Sequence, residues 1–374
     1  MNREEGMKKR MSKRQTCVDR TVDRRRILGG IGAVGTALAA PTLFIPEALA
    51  QRARELVVVH WGGAGGDANR KAYFEPFSNE TGIRIIEETG PGMEKVKAQL
   101  DSGNVTWDVL VDIGAFRMFQ GAQQDLLEKI DYNIVTNTKD LVDYAVHPYG
   151  VGSNVGSEVI AYNRDTIKPG THPRSWRDYW ETKGFPGHRA MHQKAYGNLD
   201  IALVADGVPH DRIYPIDVER AFKKLQELKP NIDVWTTTYD QPIRLLTDAE
   251  VDLAPVWNAR ASAAIAHGAP IAIEWNEGFL YYDMWSVPKG APNAKAAMQF
   301  INFCLDAPRQ AYFSSIYPYG PINKRAIELI SSELRALQPT APQNLEKQIR
   351  FDDEWWAPRL TELTSRFALW SAQK

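Results

Sequence analysis

An alternation of short apolar, β-branched runs with helical segments restricts this chain more than any other feature. Leu56-Val57-Val58-Val59-His60-Trp61 has a strand signature and stops at Gly62-Gly63. Residues 68–80 read as a helix with Tyr73, Phe74 and Phe77 on one face, kinked at Pro76 and ended by Gly82. Ile83-Arg84-Ile85-Ile86 is the next strand, Met93 to Leu100 a helix, and Val109-Leu110-Val111 a third strand. Strands that alternate with helices predict an α/β domain built on a mainly parallel sheet.

The pattern then changes. Gly150-Val151-Gly152-Ser153-Asn154-Val155-Gly156 is a run of small residues, followed by the apolar Val159-Ile160-Ala161-Tyr162-Asn163. It reads as a flexible crossing into a second lobe, then a strand. Helices are predicted over 216–229, closed by Pro230, and over Ala296 to Asp306, ended by Pro308. Val251 to Trp257 is a strand after a polar turn at 247–250. There is no repeat and no low-complexity linker, so the expectation is two α/β lobes interleaved along one chain.

Composition bears on what the chain can do. Of 374 residues, 44% are hydrophobic and 24% charged, which excludes disordered, collagen-like and coiled-coil classes. The formal charge of −1 gives no electrostatic reason for a nucleic-acid partner. That balance hides a split. Residues 1–50 carry ten basic and five acidic side chains, which leaves the remainder at −6. Asp23-Arg24-Arg25-Arg26-Ile27-Leu28, a Gly/Ala-rich apolar run to Ala40 and Ala48-Leu49-Ala50 read as an export signal of the twin-arginine type over 1–50. The run is shorter than the roughly 20 residues of a membrane span. A periplasmic location is expected. Cys17 leaves with the signal, and Cys304, between Phe303 and Leu305, is expected to be buried.

Two motifs invite other readings. Gly63-Ala64-Gly65-Gly66-Asp67-Ala68 matches G-x-G-x-x-A after a strand, with Glu87 near the place of a ribose-binding acid. An exported dinucleotide-dependent oxidoreductase is therefore the competing class. Trp61 and Gly62 crowd that turn and no second cofactor motif follows, so these glycines are read as backbone lining a cleft, with no cofactor. His188 and His192 are i, i+4, but they lack a neighbouring Glu and flank Arg189. They read as a solvated loop or helix face, not a metal site. No G-x-S-x-G is present.

The informative stretch runs from Val251 to Asn323. Trp257-Asn258-Ala259-Arg260 ends a strand and opens a helix, where α/β sheets place their ligands. Tyr281-Tyr282-Asp283-Met284-Trp285 sets one carboxylate in an aromatic strand, and Tyr317-Pro318-Tyr319-Gly320-Pro321 is a stiff aromatic loop. A buried unpaired carboxylate costs several kcal/mol. Either Asp283 pairs with Arg260 or faces solvent, or it meets a ligand ammonium boxed by aromatic faces while Arg260 meets a ligand carboxylate through its planar fork.

These residues, with Ser175-Trp176-Arg177-Asp178-Tyr179-Trp180, Pro288, Ile301-Asn302-Phe303 and Tyr319-Gly320-Pro321-Ile322-Asn323, give the chain its likeness. It resembles the periplasmic solute-binding proteins of ABC importers, in the branch of the spermidine/putrescine receptors. The resemblance implies a type II two-lobe fold, each lobe a mainly parallel sheet flanked by helices, with the ligand cleft between. Lobe 1 would be 51–152 plus 284–325 and lobe 2 would be 153–283 plus 326–374. It also implies a monomer that binds a small molecule and delivers it to an inner-membrane ABC permease, with no catalysis. Carried over by position, Trp61, Gly62, Trp257, Tyr281, Asp283 and Tyr319 match the box and the amine-binding acid. The second acidic cluster of polyamine receptors has no counterpart around Lys194 to Gly197, Ile113 and Ala115 replace an expected Ser and Tyr, and Arg260 replaces a small residue. Trp-x-x-Arg with Asp 23 positions later resembles the γ-aminobutyrate receptors of soil bacteria. One acid plus one arginine suits an ω-amino acid; a polyamine is the alternative.

Overall fold

The computed structural model describes residues 54–168 and 170–373. The export-signal reading and Cys17 lie outside them. β1 (Glu55–His60), β2 (Arg84–Thr89) and β3 (Val109–Leu110) form a parallel sheet in the order β2-β1-β3, as the alternation predicts. Between β1 and β2 the expected helix starts earlier, at Gly63. It is interrupted by a π-helical segment, Arg70–Phe74, and resumes over Glu75–Thr81. Pro76 has no N–H to give an α-helical ladder, and the widened turn before it absorbs the misfit. Gly82 ends the helix in the left-handed conformation at φ 73°, which favours glycine.

The chain continues through β4 (Val146–His147), β5 (Gly150–Asn163), β6 (Ala190–His192), β7 (Val234–Thr236), β8 (Leu253–Trp257), β9 (Ile271–Trp285), β10 (Gly320–Pro321) and β11 (Ile349–Arg350). The expected flexible crossing is instead the first half of β5, a 14-residue strand buried along its whole length. Its glycines are packing residues. A Cβ on Gly156 would lie 2.3 Å from the Tyr281 ring, and one on Gly152 2.8 Å from Ala145. Small residues that resemble a turn in sequence here let two layers approach a central strand.

β5 and β9 pair antiparallel over most of their lengths, with bulges at Gly152/Asn154 and Glu158/Ile160. The second sheet is therefore mixed rather than mainly parallel: β4, β8, β9 and β10 run antiparallel to β5, while β11 is parallel to β9; β6 and β7 pair in parallel as a separate two-stranded sheet. The α/β two-lobe class stands. A bridge from Leu110 to Ser286 ties the residue after β9 to β3, so β9 leads into the first sheet.

Two large cores lie along them. The first gathers Val58, Val109, Val155, Met284, Trp285, Phe300 and Phe313. The second gathers Ile160, Trp176, Leu199, Phe222, Phe279, Ile349 and Phe367. The aromatic face of the interrupted helix enters the first: Phe77 meets Phe300 edge-on at 5.2 Å and Tyr73 stacks on Phe313 at 5.6 Å. Cys304 is buried, at the end of the helix Ala294–Cys304. Among the described residues no helix is long and apolar enough to cross a membrane.

Phe300 is fully buried between Phe74 and Phe77. Phe300→Ala should lower the unfolding free energy by about 3–5 kcal/mol, read from urea denaturation at constant slope.

Candidate functional site

A cavity of about 700 Å³ opens between the strand ends of the two cores, and Trp61, Gly62, Trp257, Arg260, Tyr281, Asp283 and Tyr319 all line it. Side chains alternate along a strand, so β9 presents Tyr281 and Asp283 to this side and Tyr282 to the other, where it packs on Tyr144 at 4.2 Å. The β5–β9 register sets Gly156 opposite Tyr281 and Asn154 opposite Asp283. Trp257 ends β8 and precedes the helix Asn258–Ala266, which carries Arg260 on its first turn.

The aromatic walls touch. Trp257 meets Tyr281 at 4.4 Å, Tyr281 meets Tyr319 at 5.8 Å and 88°, and Tyr319 meets Tyr317 at 4.8 Å. Trp61 is half-exposed at the rim, where its Nε1 donates to the Asp112 carbonyl at 2.6 Å and Arg117 lies 5.0 Å over its ring.

Asp283 is buried, and its Oδ1 accepts from the Gly114 N–H at 3.0 Å. Among the described residues it forms no ion pair. Arg260 pairs with the exposed Asp240 instead. Burial, then the neighbouring Asp112 charge, push the Asp283 carboxyl well above the ordinary carboxylate range; the Gly114 bond and Arg117 oppose this.

Asp112 is a site residue that the sequence reading missed. Its carboxylate accepts from Asn69 Nδ2 at 2.7 Å, Ser153 Oγ at 2.6 Å and Asn154 Nδ2 at 2.9 Å. It follows β3 at φ 56°, a conformation that Asp tolerates better than most side chains. An acid directly after a buried strand was the available signal. Lys194 and Glu158 were missed as well. The stretch 194–197 lacks a carboxylate of its own, but Glu158 reaches beneath it from β5 and accepts from Lys194 Nζ at 3.0 Å. Of the threonine-rich segment 235–239, only Tyr239 lines the cavity; Trp235 packs on Phe367 and Trp370.

The glycine motif forms the helix Gly63–Asn69, and Gly62, Ala64, Gly65 and Gly66 do line the cavity. Gly66 is required by His60, whose ring a Cβ would meet at 2.6 Å. Glu87 is engaged by Arg70 through two bonds of 2.8 Å and faces His60 Nε2 at 3.1 Å, so it is no free ribose acid. The expectation of a solvated face for His188 and His192 holds for one residue only. His188 is exposed beside Asp233, whereas His192 is buried because β6 is covered along its whole length, and its Nδ1 lies 2.9 Å from Thr236 Oγ1 of β7. No cluster of metal-ligating side chains occurs among the described residues.

A family model described as bacterial extracellular solute-binding protein matches residues 72–337. This chain belongs to that family. A Pseudomonas aeruginosa protein named as a gamma-aminobutyric acid-binding protein is 36% identical over 336 residues, spanning 88% of this chain and 94% of the relative. A spermidine/putrescine-binding periplasmic protein of Escherichia coli is 26% identical over 280 residues, 71% of this chain and 79% of the relative. A solved structure described as a GABA receptor superposes with a TM-score of 0.79 at 34% identity, covering 86% of this chain and 98% of the other. The proteins of this family are solute-binding proteins of ABC transporters, not enzymes.

A carboxyl whose native pKa is raised destabilises the fold as pH climbs past the unfolded value near 4. Asp283→Asn keeps an acceptor for Gly114 and removes the charge. The unliganded variant should melt about 2 °C or more above the parent at pH 7, and calorimetry should show the gap closing as pH falls toward 4.

Proposed function

We propose that this solute-binding protein is a periplasmic receptor for an ω-amino acid such as γ-aminobutyrate, which it captures as a monomer and delivers to an inner-membrane ABC permease. The observation that carries the reading is the charge layout of the cavity. Asp283 lies two residues beyond Tyr281 on β9, buried and in no ion pair among the described residues. Arg260 lies elsewhere on the lining, and its one ion pair among the described residues is to the exposed Asp240, which a ligand carboxylate can replace. An ammonium would supply the charge that Asp283 lacks, gaining both ion pairing and contact with aromatic faces. A carboxylate would take the Arg260 fork. The name of the Pseudomonas relative supports the same ligand.

Melting the purified protein with each candidate tests this. γ-Aminobutyrate at about 100 times its dissociation constant should add roughly 2.7 kcal/mol, while putrescine adds none. Stabilisation by putrescine and not by the amino acid overturns the reading. Arg260→Ala should weaken γ-aminobutyrate by about tenfold to a hundredfold, the usual worth of a charge-assisted bond, and unchanged affinity would make Arg260 structural.

The export route is part of the same proposal. Replacing Arg24, Arg25 and Arg26 together by Lys keeps the positive charge that a general secretion signal needs. Fractionation should then find the protein retained in the cytoplasm; normal periplasmic yield would assign it to the general route.

A further inference from the structure

Lys194 is the cation of the cavity that, among the described residues, pairs with a fully buried acid. Its ammonium lies 4.4 Å over the Trp257 ring, 5.4 Å over Tyr239 and 5.9 Å over Tyr196. Its counterion, Glu158, is 0% exposed, and the Lys194 side chain is only 17% exposed. Arg260 and Arg244, by contrast, pair with acids at least half exposed. The other neighbour of Glu158 is His192, whose Nε2 stands 3.8 Å from Oε1. Burial, then the Lys194 charge, hold the His192 pKa well below its ordinary value, so the imidazole is neutral at pH 7. Among the described residues Lys194 is thus the one charge that balances Glu158. An ammonium over aromatic faces with a buried carboxylate behind it is what an amine-binding pocket looks like when full.

We infer that Lys194 fills a second amine pocket of this cleft with its own ammonium, and so makes the receptor select ligands with one amino group over diamines. The inference rests on the reading of Asp283 as the acid for the ligand's ammonium. A diamine seated there would carry its second ammonium along the same cavity toward a fixed positive charge. The protein's own lysine has already claimed the carboxylate and the ring faces that would have received it. Like charges in a partly desolvated cleft repel by more than they would in water. A monoamine with a neutral or anionic far end meets no such repulsion. Gly197 belongs to the same device: a Cβ there would lie 2.6 Å from Glu158 Oε2, so its lack of a side chain leaves room for the carboxylate beside Lys194, and its φ of 86° also favours glycine.

The test compares putrescine and γ-aminobutyrate by titration calorimetry on the parent, Lys194→Met and Lys194→Met/Glu158→Gln. Methionine keeps the apolar stem and removes the charge. Lys194→Met should bind putrescine at least tenfold more tightly than the parent, and adding Glu158→Gln should reverse that gain. Lys194→Met that still binds γ-aminobutyrate but shows no gain for putrescine overturns the inference, as does a gain that survives loss of Glu158. Failure of the γ-aminobutyrate reading is a separate result, seen in the parent alone, because the inference is read from the change in putrescine affinity. If Lys194→Met does not fold, lysine acetylation followed by mass spectrometry decides on the parent. Lys194 should react at least tenfold more slowly than the exposed Lys324, and Glu158→Gln should speed it. Reaction as fast as Lys324 overturns the inference.

Discussion

The antiparallel pairing of β5 with β9 is the constraint on which the site depends. It fixes Gly156 against Tyr281 and Asn154 against Asp283, and the same ladder continues into both cores. Because side chains alternate across a strand, that one register decides which residues of the aromatic stretch face the cavity. A one-residue slip would exchange Asp283 for Tyr282 and leave a carboxylate beside Tyr144 and Arg350. The bulge at Glu158/Ile160 falls next to the acid that holds Lys194.

Charge in the cleft is distributed by burial as much as by sequence. Asp112 and Asp283 both line the cavity, but three side-chain donors hold Asp112, while among the described residues one backbone N–H donates to Asp283. The first is a fixed strut between β3 and β5. The second is the under-satisfied group, and a receptor gains by leaving such a group for its ligand to complete. The same contrast separates Lys194, committed to a buried partner, from Arg260, held by an exposed one that water can replace.

Much of this was legible in the chain. The strands at 56–61, 83–86 and 109–111, the helix stop at Gly82 and the aromatic strand with Asp283 follow from periodicity and from residues with one conformational preference. The convergence of Trp61, Trp257, Tyr281 and Tyr319 on one cavity came through family likeness, since nothing local brings residues 61 and 319 together. What stayed hidden depends on distant pairing. The glycines of 150–156 carry turn chemistry, and only the neighbours Tyr281 and Ala145 show that they are there for close approach. Glu158 sits in a small-residue run 36 positions from Lys194, and no local pattern links the two. Asp112 reads as an ordinary strand-end polar residue until Ser153 and Asn154 are seen to donate to it.

The last helix, Leu360–Ala372, sends Phe367 into the core that contains Ile160 and Trp176. That core cannot close until Phe367, about 200 positions beyond Ile160, has been made. The first core waits in turn on the far end of β9, which supplies Met284 and Trp285. Neither half is a segment that can fold behind the ribosome and be finished before the other begins. Contacts of such long sequence separation are slow to form. A chain of this topology therefore completes both halves together, once its long strands have found each other.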